Sequence, residues 1–317
     1  MDYLLCLGGL AVLVICADHF VRGASAIGSS LKISPVVTGI IFLGFGTSLP
    51  EALVSATAAR TGNIDLAIGN IIGSNITNLT LILAVAAFFA VMKQPNPGIK
   101  KEAFITTLAS LVFAFFVYED QLNIKLQGVL LIALGVWAVV YFTRSTHSVI
   151  ENPMNPSRAE KPKQVNHLAE AGRVIIGLTG TVMGAHFTVT GAENLAETWG
   201  MSGGFVGFTL IAIGTSLPEL ATVITCAKRG ETDLIFGNVF GSNIFNCLIV
   251  GGIFSISAPQ ESTNTTMTEE GLIYMLVVTV IALAVSSTGK RIRVREGVLL
   301  VGVYLLATTF VGIHSHL

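Results

Sequence analysis

The sequence predicts an all-α polytopic membrane protein of ten transmembrane helices in two inverted five-helix repeats. Three observations predict it: an apolar, charge-poor composition, a strong bias of Lys and Arg to one side of ten apolar segments, and an internal repeat at constant offset. Of 317 residues, 52% are hydrophobic and 12% charged, with a mean hydropathy of +0.75, whereas a soluble domain carries about 25% charged residues. The net charge of −1, with no basic face or aromatic platform, argues against nucleic acid as a partner. Cys6, Cys16, Cys226 and Cys247 all fall in apolar segments, where they read as small buried hydrophobes rather than a disulfide framework. Met1-Asp2-Tyr3 offers an acid where a signal peptide would carry base.

About 20 apolar residues cross a bilayer. On that measure the spans are Tyr3 to Val21, Pro35 to Ala59, Leu66 to Val91, Phe104 to Tyr118, Leu126 to Phe142, Val174 to Ala192, Gly203 to Ala227, Leu234 to Ser257, Leu272 to Ser286 and Val298 to His314. They read as helices, because strand alternation is absent and unsatisfied backbone cannot face lipid. With the N-terminus outside, 16 of the 18 Lys and Arg residues fall in inner loops, and Arg60 and Lys125 remain outside. This positive-inside split supports the count of ten and places both termini outside the cytoplasm, in an inner or plasma membrane. The polar stretch 144–170, with Pro153, Pro156 and Pro162, reads as a cytoplasmic linker between a first repeat, 1–143, and a second, 171–317.

An offset of 168 aligns the halves without a gap from Ala17/Ala185 to Asn78/Asn246, with 18 of 33 positions identical from Gly46 to Asn78. Five spans per half force the copies to enter the membrane in opposite senses, an arrangement that places a transport site at the midplane between them. Gly-Thr-Ser-Leu-Pro-Glu occurs at Gly46 to Glu51 and Gly214 to Glu219; Gly-Asn-x-x-Gly-Ser-Asn-Ile-x-Asn occurs at Gly69 to Asn78 and Gly237 to Asn246. Glu51 and Glu219 lie about one turn from the centre of their spans. Pro50 and Pro218 break each helix there and free carbonyls around Gly44 to Thr47 and Ala212 to Thr215. Asn70, Ser74 and Asn78 share one helix face at i, i+4 and i+8, as do Asn238, Ser242 and Asn246. Gly69, Gly73, Gly237 and Gly241 would let those faces approach their neighbours, while Asn75 and Asn243 lie off them and read as packing residues.

Ser48-x-x-Glu51 and Ser216-x-x-Glu219 also match a helix capping box, and the Asn and Ser residues could be interhelical hydrogen-bond glue. Against capping alone stands the penalty of a carboxylate at the bilayer centre, about 2.5–3.5 kcal/mol on the lenient scale, incurred twice at symmetric positions. The oxygen-only donor set suits a hard cation, and Ca²⁺ takes about 6–8 such ligands. Two glutamates carry −2, which one Ca²⁺ or two Na⁺ would neutralise.

On these two strings the chain resembles the sodium/calcium exchangers of the cation/calcium antiporter superfamily, over essentially its whole length. The resemblance implies antiport of Na⁺ and Ca²⁺ by alternating access, with no prosthetic group. It implies Ca²⁺ held by Glu51 and Glu219 with the Thr47 and Thr215 carbonyls. It further implies Na⁺ sites among Ser48, Ser74, Ser216, Ser242 and the Thr47 and Thr215 hydroxyls, with Asn78 at the centre and the Ala212 carbonyl contributing. Potassium-dependent relatives carry aspartate at the position of Asn246, so K⁺ is not an expected cargo. The likeness also suggests that the first and sixth spans slide past a fixed core, with Asp18 and His186 at their interface. Proton/Ca²⁺ exchange through the same carboxylates is the alternative. A membrane hydrolase lacks a nucleophile dyad or metal motif here, and kinked inverted repeats favour an occluded site over a channel.

Overall fold

The computed structural model describes residues 2–93, 99–118, 123–146, 166–198, 213–259, 271–288 and 291–314. Helices dominate: α1 (Asp2–Ser30), α2 (Pro35–Thr47), α3 (Leu49–Arg60), α4 (Ile64–Phe89), α5 (Ile99–Tyr118), α6 (Ile124–Thr146), α7 (His167–Thr198), α8 (Leu217–Arg229), α9 (Thr232–Ser257), α10 (Leu272–Thr288) and α11 (Val294–His314). Six of these are long and apolar enough to cross a membrane, and the bent pair α2–α3 adds a seventh. One feature departs from the all-α expectation: β1 (Met92–Lys93) pairs antiparallel with β2 (Arg291–Ile292). Two residues are too few to show alternation, so the sequence carries no sign of it.

α4 and α9 form the centre, and from Leu234 to Leu248 every residue of α9 is buried. Because they touch protein on every side, their apolar residues are not confined to one stripe, and the Asn and Ser residues between them are buried as well. α1 and α7 lie at the periphery, exposing Leu4, Leu7, Val14 and Ile15 on one and Ile175 and Ile176 on the other, as lipid-facing helices do. Both outrun their apolar segments, α1 reaching Ser30 and α7 running from His167 to Thr198. Hydropathy marks the part of a helix in lipid, whereas backbone hydrogen bonding continues beyond it.

The α1–α7 contact is glycine-lined and antiparallel. A Cβ on Gly184 would stand 2.5 Å from the Leu13 nitrogen, one on Gly191 2.5 Å from the Cys6 nitrogen, and one on Gly177 2.5 Å from the Phe20 nitrogen. As the residue number falls on α7 it rises on α1. Only backbones without side chains between them come this close.

Contacts at the helix ends form two groups. In one, Asn194 Nδ2 donates to Asp2 Oδ1 at 3.0 Å, and Lys125 Nζ donates to the Ile256 and Ala258 carbonyls. In the other, Asp18 pairs with Arg22 at 2.8 Å and with Arg229 at 3.8 Å, Lys228 lies over the Phe89 ring, Lys101 lies over Tyr141, and β1 meets β2. Asp18 thus faces an interface, as expected, whereas its repeat equivalent His186, expected at the same interface, is exposed.

Candidate ion-binding site

Both halves break their helices where the sequence places proline. Ser48 (φ −85°, ψ 11°) separates α2 from α3, whose axes differ by 42°, and Ser216 (φ −87°, ψ 4°) precedes α8. Pro50 and Pro218 occupy the first turns of α3 and α8, where a missing N–H is tolerated. The break therefore falls two residues before each proline. It sets Glu51 and Glu219 in the first turn of a new helix, at the positive end of its peptide dipoles.

The two carboxylates are buried and bound crosswise. Ser48, three residues before Glu51, donates its hydroxyl to Glu219 Oε1 at 2.8 Å, and Ser216 donates to Glu51 Oε1 at 3.4 Å. Thr215 stands beside Glu51, and Thr47 and Ser242 beside Glu219; the two carboxylates are near enough to repel each other. Among the described residues neither acid forms an ion pair with Lys, Arg or His. One oxygen of each, Glu51 Oε2 and Glu219 Oε2, has no hydrogen-bond partner among the described residues.

Several of the remaining expected residues bond around this pair, and the others described are buried. Ser242 Oγ donates to the Gly44 carbonyl at 3.1 Å, which ties α9 to α2, and Thr47 Oγ1 donates to the Leu43 carbonyl at 2.8 Å. Thr215 Oγ1 donates to Asn70 Oδ1 at 3.4 Å. Asn70, Ser74, Asn78, Asn238, Ser242 and Asn246 are all at most 3% exposed. Ser74 Oγ, Asn238 Oδ1, and both side-chain polar atoms of Asn78 and Asn246 have no partner among the described residues. A buried polar group left so costs about 1–3 kcal/mol, and the cluster holds several beside two acids. An oxygen-rich donor set of net charge −2 is suited to a hard cation. Ala212 lies outside the described residues.

Two kinds of feature escaped the sequence, π turns and a pair of supporting hydroxyls. α4 contains a π turn at Asn78–Ile82 and α9 one at Asn246–Val250, equivalent positions at the repeat offset, and α2 has another at Gly39–Gly44. Such bulges recur at functional sites, and here each adjoins a candidate ligand. Ser55 and Thr222 bond to Asn70 and Asn238 at 2.9 Å each; Ser55, four residues after Glu51 on the same helix face, was the available signal. Gly237 and Gly241 lie against the backbone of Val36 and Ile40, as their spacing predicted; the repeat counterparts of Val36 and Ile40, residues 204 and 208, lie outside the described residues. Asn75 and Asn243 pack as expected: Asn75 donates to the Ile71 carbonyl at 2.8 Å and Asn243 to the Asn75 carbonyl at 3.2 Å.

Comparison with known proteins bears on this geometry. The family model described as sodium/calcium exchanger protein matches residues 1–144 and 170–312. The putative antiporter CaxA of Alkalimonas amylolytica is 34% identical over 303 residues, covering 94% of each chain. The sodium/calcium exchanger MaX1 of Methanosarcina acetivorans is 28% identical, over 96% of this chain and 97% of its own. A more distant relative, the Ca²⁺/H⁺ antiporter ChaA of Bacillus subtilis, is 20% identical over 93% of this chain and 88% of its own. Among solved structures, the sodium-calcium exchanger NCX_Mj soaked with Na⁺ and Sr²⁺ superposes with a TM-score of 0.82 at 29% identity, covering 97% of each chain. The chain is a multi-pass membrane protein with an antiporter fold, and on a family match spanning both halves it belongs to the sodium/calcium exchanger protein family.

Proposed function

We propose that this protein exchanges Na⁺ for Ca²⁺ at one site shared by its two halves, with Glu51 and Glu219 as the anionic ligands. One observation carries the reading. Each acid accepts a hydroxyl hydrogen bond from the half to which it does not belong and keeps a second buried oxygen without a partner among the described residues. Thr47, Thr215, Ser48, Ser216, Ser74, Ser242, Asn70, Asn238, Asn78, Asn246 and the Gly44 and Ala212 carbonyls complete the proposed set. Because Asn246 is neutral, the cavity holds −2 and K⁺ is not a cargo. Na⁺ and Ca²⁺ then compete for one fixed charge, so occupancy by one displaces the other.

The proposed frame is ten spans in two inverted repeats, 1–143 and 171–317, joined by a cytoplasmic linker at 144–170, with both termini outside the cytoplasm. Antiparallel α1 and α7 support it, since they are the first helices of the two repeats. So do the helix-end contacts: Asp2, Asn194, Lys125 and Ile256 all lie at ends expected outside, and Asp18, Arg229, Phe89, Lys228, Met92 and Ile292 at ends expected inside. The gap in the family match between 144 and 170 falls at the proposed linker.

The relationship to ChaA favours one second reading, proton/Ca²⁺ exchange through the same carboxylates. Reconstitution into liposomes with Na⁺, K⁺ and pH gradients imposed separately decides between them. The proposal predicts that an opposing Na⁺ gradient alone drives ⁴⁵Ca²⁺ accumulation. Accumulation driven by a pH gradient in Na⁺-free buffer would replace Na⁺ by H⁺ as the counter-ion.

A further inference from the structure

We infer that Ser55 and Thr222 are positioning residues that force Asn70 and Asn238 to turn their amide oxygens, not their NH₂ groups, toward the ion site. The inference rests on the site reading proposed above.

A hydroxyl has one hydrogen to give. Thr222 gives its hydrogen to the Glu219 carbonyl at 2.9 Å, so its oxygen can only accept. The Asn238 group 2.9 Å from that oxygen must then be a donor, the NH₂, and the amide oxygen is left on the opposite branch. That oxygen, Asn238 Oδ1, is buried without a partner among the described residues. In the first half Ser55 gives its hydrogen to the Ala67 carbonyl at 3.1 Å and accepts from Asn70 Nδ2 at 2.9 Å. Asn70 Nδ2 also donates to the Glu51 carbonyl at 3.2 Å, and Asn70 Oδ1 accepts from Thr215 across the halves. A hydroxyl on a glutamate-bearing helix thus dictates the orientation of each amide.

The two devices are not copies. Ser55 aligns by the repeat offset with Val223, and Thr222 with Val54, so each half sets its asparagine from a different position. They also differ in strength. Asn70 keeps the Glu51 carbonyl as a second acceptor, whereas the hydroxyl of Thr222 is the one acceptor found for Asn238 Nδ2 among the described residues. Without Thr222 nothing prevents Asn238 from presenting NH₂ to a cation, which repels it. Without Ser55 the Asn70 amide is still held.

The test is the Ca²⁺ dependence of ion-gradient-driven ⁴⁵Ca²⁺ uptake in liposomes for wild type, Thr222→Val, Thr222→Ser and Ser55→Ala. Melting of each purified protein, with and without Ca²⁺, runs in parallel. Loss of the residue that orients a ligand costs about 10- to 100-fold in metal affinity. Thr222→Val is expected to raise the KM for Ca²⁺ by about tenfold or more, with a smaller change in maximal rate and a diminished Ca²⁺-induced rise in Tm. Thr222→Ser, which keeps the hydroxyl, restores the wild-type KM, and Ser55→Ala shifts it less than Thr222→Val. A Thr222→Val protein with unaltered Ca²⁺-free Tm and wild-type KM would overturn the inference, as would a Thr222→Ser protein as impaired as Thr222→Val. If wild type itself neither takes up Ca²⁺ nor is stabilised by it, the site reading fails first and this inference falls with it.

Discussion

Glu51 and Glu219 each bind a serine of the opposite half through one oxygen, and the other oxygen, although buried, has no hydrogen-bond partner among the described residues. Two buried acids without a counter-charge among the described residues are unfavourable in isolation, so on the proposed reading a cation held between them would stabilise the fold as well as being the cargo. Bound Ca²⁺ should therefore raise Tm and removal with a chelator lower it, more steeply in wild type than in a Glu51→Gln or Glu219→Gln variant. The crosswise serines differ in geometry, 2.8 Å for Ser48 against 3.4 Å for Ser216. A hydrogen bond to a charged group contributes about 1.5–3 kcal/mol. Ser48→Ala is expected to weaken Ca²⁺ binding by about tenfold and Ser216→Ala by less, as measured by calorimetric titration. Most of this ring was legible in the sequence, because strings that recur at constant offset within apolar spans stand out. Ser55 and Thr222 were not, since they do not obey the offset. Their role emerges only once the hydroxyl hydrogens are assigned.

At the scale of the element, the broken helices and the glycine contacts place the ring. Proline announced the breaks, and the structure sets them at Ser48 and Ser216. The π turns had no such signal: one extra residue in a helical turn leaves the apolar pattern almost unchanged and is dictated by what packs alongside. Glycine spacing likewise gave the possibility of close approach but not its use. A Cβ on Gly241 would lie 2.6 Å from Ile40 Cα, and backbone cannot yield as a side chain does. Gly241→Ala should therefore destabilise by about 1–3 kcal/mol and, through the neighbouring Ser242, loosen its contact with Gly44. A Gly241→Ala protein that melts with wild type would count against the assigned packing.

For the whole molecule, hydropathy and charge gave the class and the expected sidedness, while the packing order of the helices came only from the structure. In the proposed frame the peripheral, antiparallel α1–α7 pair and the central α4–α9 pair each join equivalent helices of the two repeats, yet nothing in a hydropathy profile separates them. Sidedness is testable directly. In a cysteine-free background carrying Lys125→Cys or Lys228→Cys, an impermeant maleimide should label position 125 only from outside sealed cells and position 228 only from the cytoplasmic side of inverted vesicles. Labelling of both from one side would break the ten-span frame.

A single ion shared between the repeats is the claim on which the rest depends, and equilibrium ⁴⁵Ca²⁺ binding to purified protein measures it. Removing one of two charged partners costs about 2–5 kcal/mol, a loss of ~30-fold or more in affinity. The account predicts one high-affinity Ca²⁺ per chain in wild type and its loss in Glu51→Gln and in Glu219→Gln alike. Two Ca²⁺ per chain, with one surviving intact in each single variant, would show independent sites and contradict it.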